Sequence, residues 1–286
     1  MSEAGAVSIR RAERGDADLV SGLLAHDEVE PFLSARRPRG REAMLEQIDR
    51  SMREPGSFGV FVIEVDGDRV GMMEFETANE RSRIAYLGGL AVDPAFRGRG
   101  LAEEAARALI HHLLLDLGFH RLQLEVYGFN DRAVRHAERV GFVREGVKRK
   151  AYRRHGGWHD GIMFGLVRED LGLPPAVDLL YEFTARHNQG VRTGDWEALG
   201  ECLAGDARLE FGGVQLGPFC GREAIVAAYR ARPPDDEVRL VDPVEEQGGD
   251  GVNAGYMWSR SPDEPGGTMR LEFVDGLISR LMVVVS

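Results

Sequence analysis

The residues best suited to chemistry lie in LAVDPAFRGRGLAEEAARALI, from Leu90 to Ile110. Within it Arg97, Gly100 and Ala102 follow the spacing R-x-x-G-x-A. That pattern suits anion binding. The first amides of a helix have no partner inside it, and the helix dipole makes that end positive. Gly98 and Gly100 have no side chain to hold a pyrophosphate off the backbone, and Arg97 and Arg99 add charge. A second group is made of proton carriers on short strands. Glu74 and Glu76 share one strand face, as do Gln123, Glu125 and Tyr127 on another strand, and Tyr86 lies on the strand between. Glu125 reads equally well as a base that takes a proton and as the partner of a nearby Arg.

These residues need a scaffold of alternating strands and helices. Val7–Arg11 reads as a strand, followed by a helix to about Ala25 capped by Asp16. Glu28–Arg41, rich in Pro and Arg, reads as a loop, and a second helix runs to about Met52. Phe58–Val65 and Arg69–Glu76 flank Asp66-Gly67-Asp68, a strong hairpin signal. Ile84–Val92 is a strand that leads into the Gly-rich loop. Leu101–Leu117 has Leu and Ala at helical spacing. Arg121–Tyr127 alternates as a strand, Ala133–Val140 is a short helix ended by Gly141-Phe142, and Gly161–Val167 is the last strand.

With the loop between a strand and an amphipathic helix, Leu90–Ile110 resembles motif A of the GNAT superfamily of N-acetyltransferases. LQLEVYGFNDRAVRHAERVGFVREG, Leu122–Gly146, is similar to motif B through Glu125, Asn130, Ala133 and Gly141-Phe142. GGWHDGIMFGL resembles the closing segment of many members. The resemblance covers about Ser8–Asp170. It implies an α/β (α+β) fold with a central mixed sheet and acetyl-CoA as co-substrate. It also implies that Leu90, Ala91 and Val92 lie on a strand splayed from its neighbour, with the pantetheine arm in the gap and the Val92 N–H facing the thioester carbonyl. Leu90, Ala91, Val92, Arg97, Gly98, Arg99, Gly100, Leu101, Ala102 and Asn130 are the expected coenzyme contacts. Asn130 reads alternatively as a turn residue.

The implied reaction is direct transfer of acetyl to a primary amine without an acyl-enzyme. Alkylamines hold their proton at neutral pH, so a base or water chain must remove it. Glu125 occupies the position of the base in some relatives, with Glu74 and Glu76 as rivals. The Tyr that usually protonates the leaving thiolate is replaced by Ala137, and Tyr127, His136 or water is left to stand in. His136 reads more simply as a packed or solvated side chain. Arg36, Arg37, Arg39 and Arg41 form one basic cluster, and Lys148, Arg149, Lys150, Arg153 and Arg154 form another. Each reads as a solvated face or as a contact for the coenzyme 3′-phosphate or another anionic partner. Asp160 reads as a grip for a substrate ammonium or a turn cap. The expected acceptor is a small molecule: an amino acid, a polyamine or an aminoglycoside-like antibiotic. The alternatives are a protein N-terminal (RimJ/RimL-like) acetyltransferase and a non-catalytic acetyl-CoA-binding module.

REDLGLPPA, Arg168–Ala176, marks a boundary, since two prolines after a glycine stop regular structure. The expected domains are 1–170 and 171–286. The second begins with a helix, Val177 to about Val191, and a short one capped by Asp195. A hairpin of Ala207–Gly212 and Val214–Pro218 and a helix Arg222–Arg230 come next. Strands Val238–Glu246, Val252–Arg260, Thr268–Val274 and Leu277–Val285 close the chain. From Ala176 on this order is similar to the SnoaL-like, nuclear transport factor 2-like fold, implying an α+β cone-shaped barrel with an open pocket. Tyr181, His187, Asp206, Glu210 and Tyr229 are its polar candidates, without a specific constellation. Capping, assembly or dimerisation is its expected role, and a homodimer is one expected state.

Composition sets outer bounds. Hydrophobic residues are 43% and charged residues 29%, a globular balance. Lys and Arg number 26 against 28 Asp and Glu through Asp170, and 10 against 19 beyond it. The acidic second half does not suit a phosphate backbone, so no nucleic-acid partner is expected. No apolar run approaches the roughly 20 residues of a membrane helix, and no secretory signal is read at the start. Cys202 and Cys220 show neither disulfide nor zinc spacing, so no metal and a reducing cytoplasm are expected.

Overall fold

The computed structural model describes residues 6–33, 40–173, 175–247 and 251–285. They divide into two compact units. One is the chain to Asp170 without Leu115–Gly118, and the other comprises that stretch and the chain from Leu171.

The first unit runs β1 (Val7–Arg11), α1 (Ala17–Ala25), α2 (Arg41–Arg53), β2 (Phe58–Val65), β3 (Asp68–Asn79), β4 (Ile84–Val92), α3 (Leu101–His111), β5 (Arg121–Tyr127), α4 (Asp131–Arg139), β6 (Val143–Arg154) and β7 (Gly157–Val167). The strands make one seven-stranded sheet in the order β1-β2-β3-β4-β5-β7-β6. Only the β4–β5 pair is parallel, so the sheet is mixed. The sequence FGVFVIEV of β2 is apolar along its length, and nearly every residue is buried, as befits a central strand covered on both faces. Val20, Leu23 and Leu24 of α1 and Met44 and Ile48 of α2 share a buried cluster with Val60 and Val62 of β2. Asp66 and Gly67 turn β2 into β3 with φ of 52° and 87°, as a two-residue hairpin requires.

Three expectations are corrected here. The segment Val143–Arg154, unassigned from sequence, is strand β6. It is an edge strand whose side chains are mostly exposed, so it carries no apolar alternation to read. The α-helix predicted over Leu101–Leu117 ends at His111 and continues as a wider π-type turn, His112–Asp116. Asp16 does not cap α1 with its side chain. The carboxylate, 2% exposed, accepts from Arg10 at 2.7 Å, Arg69 at 2.8 Å and the Glu13 amide at 2.8 Å.

The second unit runs α5 (Pro175–Thr193), α6 (Glu197–Gly200), β8 (Leu203–Gly212), β9 (Phe219–Cys220), α7 (Arg222–Ala231), β10 (Val238–Gln247), β11 (Gly251–Trp258), β12 (Ser261–Val274) and β13 (Leu277–Val285). Its six-stranded sheet has the order β10-β11-β12-β13-β8-β9, with β13 and β8 parallel. β10 and β9 are the edges, so among the described residues the sheet is open and the cone-shaped barrel expected from sequence is not shown. The hairpin partner of β8 is β9 and not Val214–Pro218, because Gly213 and Gly217, with φ of 84° and 80°, take the chain through a longer loop. Asp195 accepts from the Glu197 amide at 3.0 Å at the start of α6. Both cysteines are free, and burial pushes the Cys202 thiol up to about 12.

The Asp16 cluster makes a test of the first unit. Burial alone would raise the carboxyl pKa. The hydrogen bonds from Arg10, the Glu13 amide and Arg69, with the Arg10 charge, outweigh burial and hold it well below the usual carboxylate range. A carboxylate depressed on folding contributes its full stability above about pH 4, and that stability is lost as pH falls through the folded value. Asp16→Asn is expected to cost about 3 kcal/mol in denaturant unfolding at neutral pH. The difference from the parent is expected to shrink in acid.

Candidate active site

The site begins where β4 and β5 stop pairing. They are joined only at Ile84↔Arg121, Ala85↔Leu122 and Tyr86↔Gln123. Beyond Tyr86 β4 keeps only its other neighbour, β3, and there it carries a bulge, with Gly89 and Leu90 both opposite Met73. Gly89, at φ 67°, supplies the backbone conformation that an L side chain resists. A bulge bends its strand and increases the local twist. Between the parted strands lies a cavity of about 1050 Å³.

The backbone of Val92 faces this gap. In an antiparallel ladder, hydrogen-bonded and non-bonded pairs alternate. Asp93 N–H donates to Val70 O at 2.8 Å, so the neighbouring Val92–Gly71 pair is the non-bonded kind. The Val92 N–H and C=O therefore point away from β3. The carbonyl is taken by Arg97 Nε at 3.1 Å.

Gly100 is the N-cap of α3 with φ 81°, and Gly98 has φ 80°. A Cβ built on either meets nothing within 4 Å. The loop backbone is thus approachable beside the helix N-terminus. Leu90, Ala91, Val92, Arg97, Gly98, Gly100, Leu101, Ala102 and Asn130 all line the cavity. Arg99 does not, and its guanidinium lies over the Phe96 ring, 5.4 Å from the centroid. Arg97 also pairs with Glu28 at 2.5 Å. Asn130 joins its two readings, since its Oδ1 caps α4 by accepting from Ala133 N–H at 3.1 Å while the residue lines the cavity.

The proton carriers divide clearly. Glu74, Glu125, Tyr86 and Tyr127 line the cavity, and Glu76 does not. Glu76 is held by Arg50 at 3.0 Å. Tyr127 donates to the Leu33 carbonyl at 3.2 Å and accepts from Arg154, so its proton is committed to holding the Leu33 backbone. Glu125, with a side chain only 10% exposed, accepts from Lys148 Nζ at 2.7 Å and from the Tyr152 hydroxyl at 2.8 Å. Burial first, and then the hydrogen bond to Glu125, pushes the Tyr152 phenol well above its ordinary value, so it stays protonated. Ala137 is buried in the cavity wall. His136 also lines it, and burial lowers its pKa.

Tyr152, absent from the sequence reading, lies on β6. The signal that locates it is the turn His155-Gly156, with φ of 49° and 77°, which folds β6 onto β7 and sets Tyr152 opposite His159. Of the two basic clusters, Arg36, Arg37 and Arg39 lie outside the described residues, and Arg41 pairs with Asp18 at 2.8 Å. In the other, Lys148 and Arg154 bind Glu125 and Tyr127. Asp160 accepts from the Lys150 amide at 2.7 Å, within a bulge of β6 between Lys148 and Tyr152. Among the described residues no group of three or more His, Cys, Asp or Glu is placed to hold a metal ion, and no helix is long and apolar enough to cross a membrane.

Comparison with known proteins defines the class. A family model described as the acetyltransferase (GNAT) family matches residues 23–142. A Bacillus subtilis relative, the SPbeta prophage-derived uncharacterized N-acetyltransferase YokL, is 33% identical over 137 residues, 48% of this chain and 76% of the relative. The spermidine N(1)-acetyltransferase of Escherichia coli K12 is 31% identical over 86 residues, 30% of this chain and 46% of the relative. The structure of spermidine N-acetyltransferase from Vibrio cholerae with CoA and spermine is similar in fold, with a TM-score of 0.54 at 20% identity over 58% of this chain and 98% of that one. A ribosomal L7/L12 alpha-N-protein acetyltransferase in complex with coenzyme A gives 0.51 at 19%, over 58% and 95%. The chain belongs to the GNAT family and is an N-acetyltransferase of that type, a family that uses acetyl-CoA.

One glycine tests the site's construction. A methyl at Gly161 would overlap the Glu125 carboxylate and press on the Tyr152 ring, so the close approach of these two groups needs glycine there. Gly161→Ala is expected to fold and to bind coenzyme A with unchanged affinity by calorimetry. Its acetyl-transfer turnover is expected to fall at least tenfold, a displacement effect on groups that must be held within about 0.5 Å.

Proposed function

We propose that this protein transfers acetyl directly from acetyl-CoA to a primary amine of a small cationic molecule, with residues 1–170 forming the transferase domain. The observation that carries this reading is the parting of β4 from β5, which turns the Val92 N–H toward a cavity that also receives the Gly-opened N-terminus of α3. The amides around Gly98–Ala102 take the pyrophosphate, with the helix dipole behind them. Leu90–Val92 and Asn130 flank the pantetheine. The amine nitrogen attacks the thioester carbonyl carbon, and the Val92 N–H steadies the negative charge that develops on its oxygen. The C–S bond then breaks, acetyl stays on nitrogen, and the thiolate takes a proton.

Glu125 and Tyr152 handle the protons in this reading. Glu125 accepts the ammonium proton, directly or through water, and Tyr152 provides the hydroxyl that Ala137 does not. Glu74 is the second carboxylate in the cavity. Carboxylates and phenols at the acceptor end favour a cationic amine, and relatives named spermidine acetyltransferases support that class. The second domain, residues 171–286, is similar in element order to the SnoaL-like fold, and it serves as an auxiliary module in a cytoplasmic enzyme.

A panel of polyamines, amino acids, aminoglycosides and a peptide with a free N-terminus, read by thiol release from acetyl-CoA, tests the reading. Polyamines are expected to give the highest kcat/KM, and Glu125→Gln is expected to cut turnover by about 10²–10⁴ with coenzyme binding intact. A preference for the peptide assigns the activity to protein N-termini instead. No thiol release with any amine makes the unit a binding module.

The coenzyme assignment has its own test. Gly100→Asp sets a carboxylate against the pyrophosphate and is expected to weaken acetyl-CoA binding at least a hundredfold by calorimetry. Gly100→Asn suffers the same backbone strain without the charge, so it is expected to lose far less.

A further inference from the structure

The chain carries 36 Lys and Arg, and only two of them are lysines, Lys148 and Lys150, both on β6. Elsewhere arginine supplies the cation of an ion pair, as it does for Asp16, Glu76, Glu103, Glu145 and Glu210. Arginine is also the better partner for a carboxylate, since its planar fork can donate two parallel hydrogen bonds. A plain ion pair at position 148 therefore gives no reason for lysine. Lysine has what arginine lacks, an amine that can give up its proton and act as a nucleophile.

Lys148 meets the two groups that handle protons in the proposed reaction. Its Nζ lies 2.7 Å from Glu125 Oε2, and the Tyr152 hydroxyl donates to Glu125 Oε1 at 2.8 Å. Glu125 and Tyr152 both line the cavity that Val92 also lines. Lys148 is not in that wall. It reaches the carboxylate from the edge strand β6, with its side chain 50% exposed and a flexible stem behind the ammonium. The acceptor nitrogen of the proposed reaction has to meet the same carboxylate. Lys148 thus already makes a contact that a substrate ammonium would make.

We propose that Lys148 is an internal acceptor, acetylated on Nζ by the protein's own active site when acetyl-CoA is bound. The inference rests on the reading of Glu125 as the base of acetyl transfer. Glu125 takes one ammonium proton, and Nζ swings in on its stem to attack the thioester carbonyl carbon. The C–N bond forms and the C–S bond breaks. The second nitrogen proton leaves to water, while Tyr152 gives the thiolate its proton and regains one from solvent. The products are an acetamide at Lys148, coenzyme A and one released proton.

Lys150 is the internal reference for the test, since it is exposed on the same strand. The full chain is incubated with acetyl-CoA and no added amine, and the acetyl groups are located by peptide mass spectrometry. Lys148 is expected to be acetylated at least tenfold faster than Lys150, with a rate constant independent of protein concentration. Glu125→Gln is expected to slow labelling of Lys148 at least tenfold, and Lys148→Arg to abolish thiol release in the absence of amine. Equal labelling of the two lysines is the mark of spontaneous acetylation and overturns the proposal. Unchanged labelling of Lys148 in Glu125→Gln also overturns it. So does a rate constant that rises with protein concentration, which assigns the transfer to a second copy. Absence of acetyl-Lys148 while added amines still release thiol overturns the internal acceptor and leaves the transferase reading standing. Absence of both overturns the two together. The comparison of Lys148 with Lys150 needs no variant, so it decides the matter even if a substitution fails to fold.

Discussion

Neighbouring parallel strands normally share hydrogen bonds along their whole overlap, yet β4 and β5 release each other after Tyr86 and Gln123. Everything at the site depends on that release. Backbone donors buried without partners are costly, so a parted pair in the middle of a sheet survives only where something else can meet them. Here the bulge at Gly89 and Leu90 turns β4 while β3 keeps its grip on the other side. The Val92 N–H is left facing a cavity that also receives the start of α3. The same departure from regular pairing creates the space, the donor and the angle at which the Gly98–Ala102 backbone enters it.

The electrostatics around the cavity are arranged in local pairs. Arg97 is balanced by Glu28, Arg139 by Glu103 at 2.5 Å, and Lys148 by Glu125. Each pair holds a side chain in place and leaves backbone dipoles and the helix terminus as the fixed positive elements near the loop. At the other end, β6 and β7 bring Tyr152 to Glu125 across Gly161, where a methyl would displace both side chains. The folding of the last two strands of the first unit is therefore coupled to the geometry of the Glu125–Tyr152 pair.

Much of this was legible in the sequence where local pattern and tertiary role agree. β4 and β5 were read with their observed bounds because each is apolar or alternating and is bounded by turn residues. Asp66-Gly67 and Asp275-Gly276 announced hairpins that exist, each with positive φ at both residues. The Gly-rich loop announced the cavity wall. Reading failed where a residue's role is set by a distant partner. β6 was missed because an exposed edge strand with six Lys and Arg has no apolar period. Tyr152 was missed with it. Asp16 looked like a helix cap, since nothing local shows that Arg10 and Arg69 converge on it from two strands. Val214–Pro218 looked like a strand, although two glycines at positive φ bend it into a loop. Arg99, expected beside Arg97 as a coenzyme contact for its charge, stacks on Phe96 instead of lining the cavity.

The central claim is that specific backbone amides, at the parted end of β4 and at the start of α3, receive the coenzyme. Amide hydrogen exchange, followed with and without saturating acetyl-CoA, addresses those groups themselves. The account predicts new protection at Val92 and across Gly98–Ala102, with little change along β1, β2 and the strands of the second unit. Coenzyme binding that leaves the amides of Val92 and Gly98–Ala102 exchanging as before would contradict it.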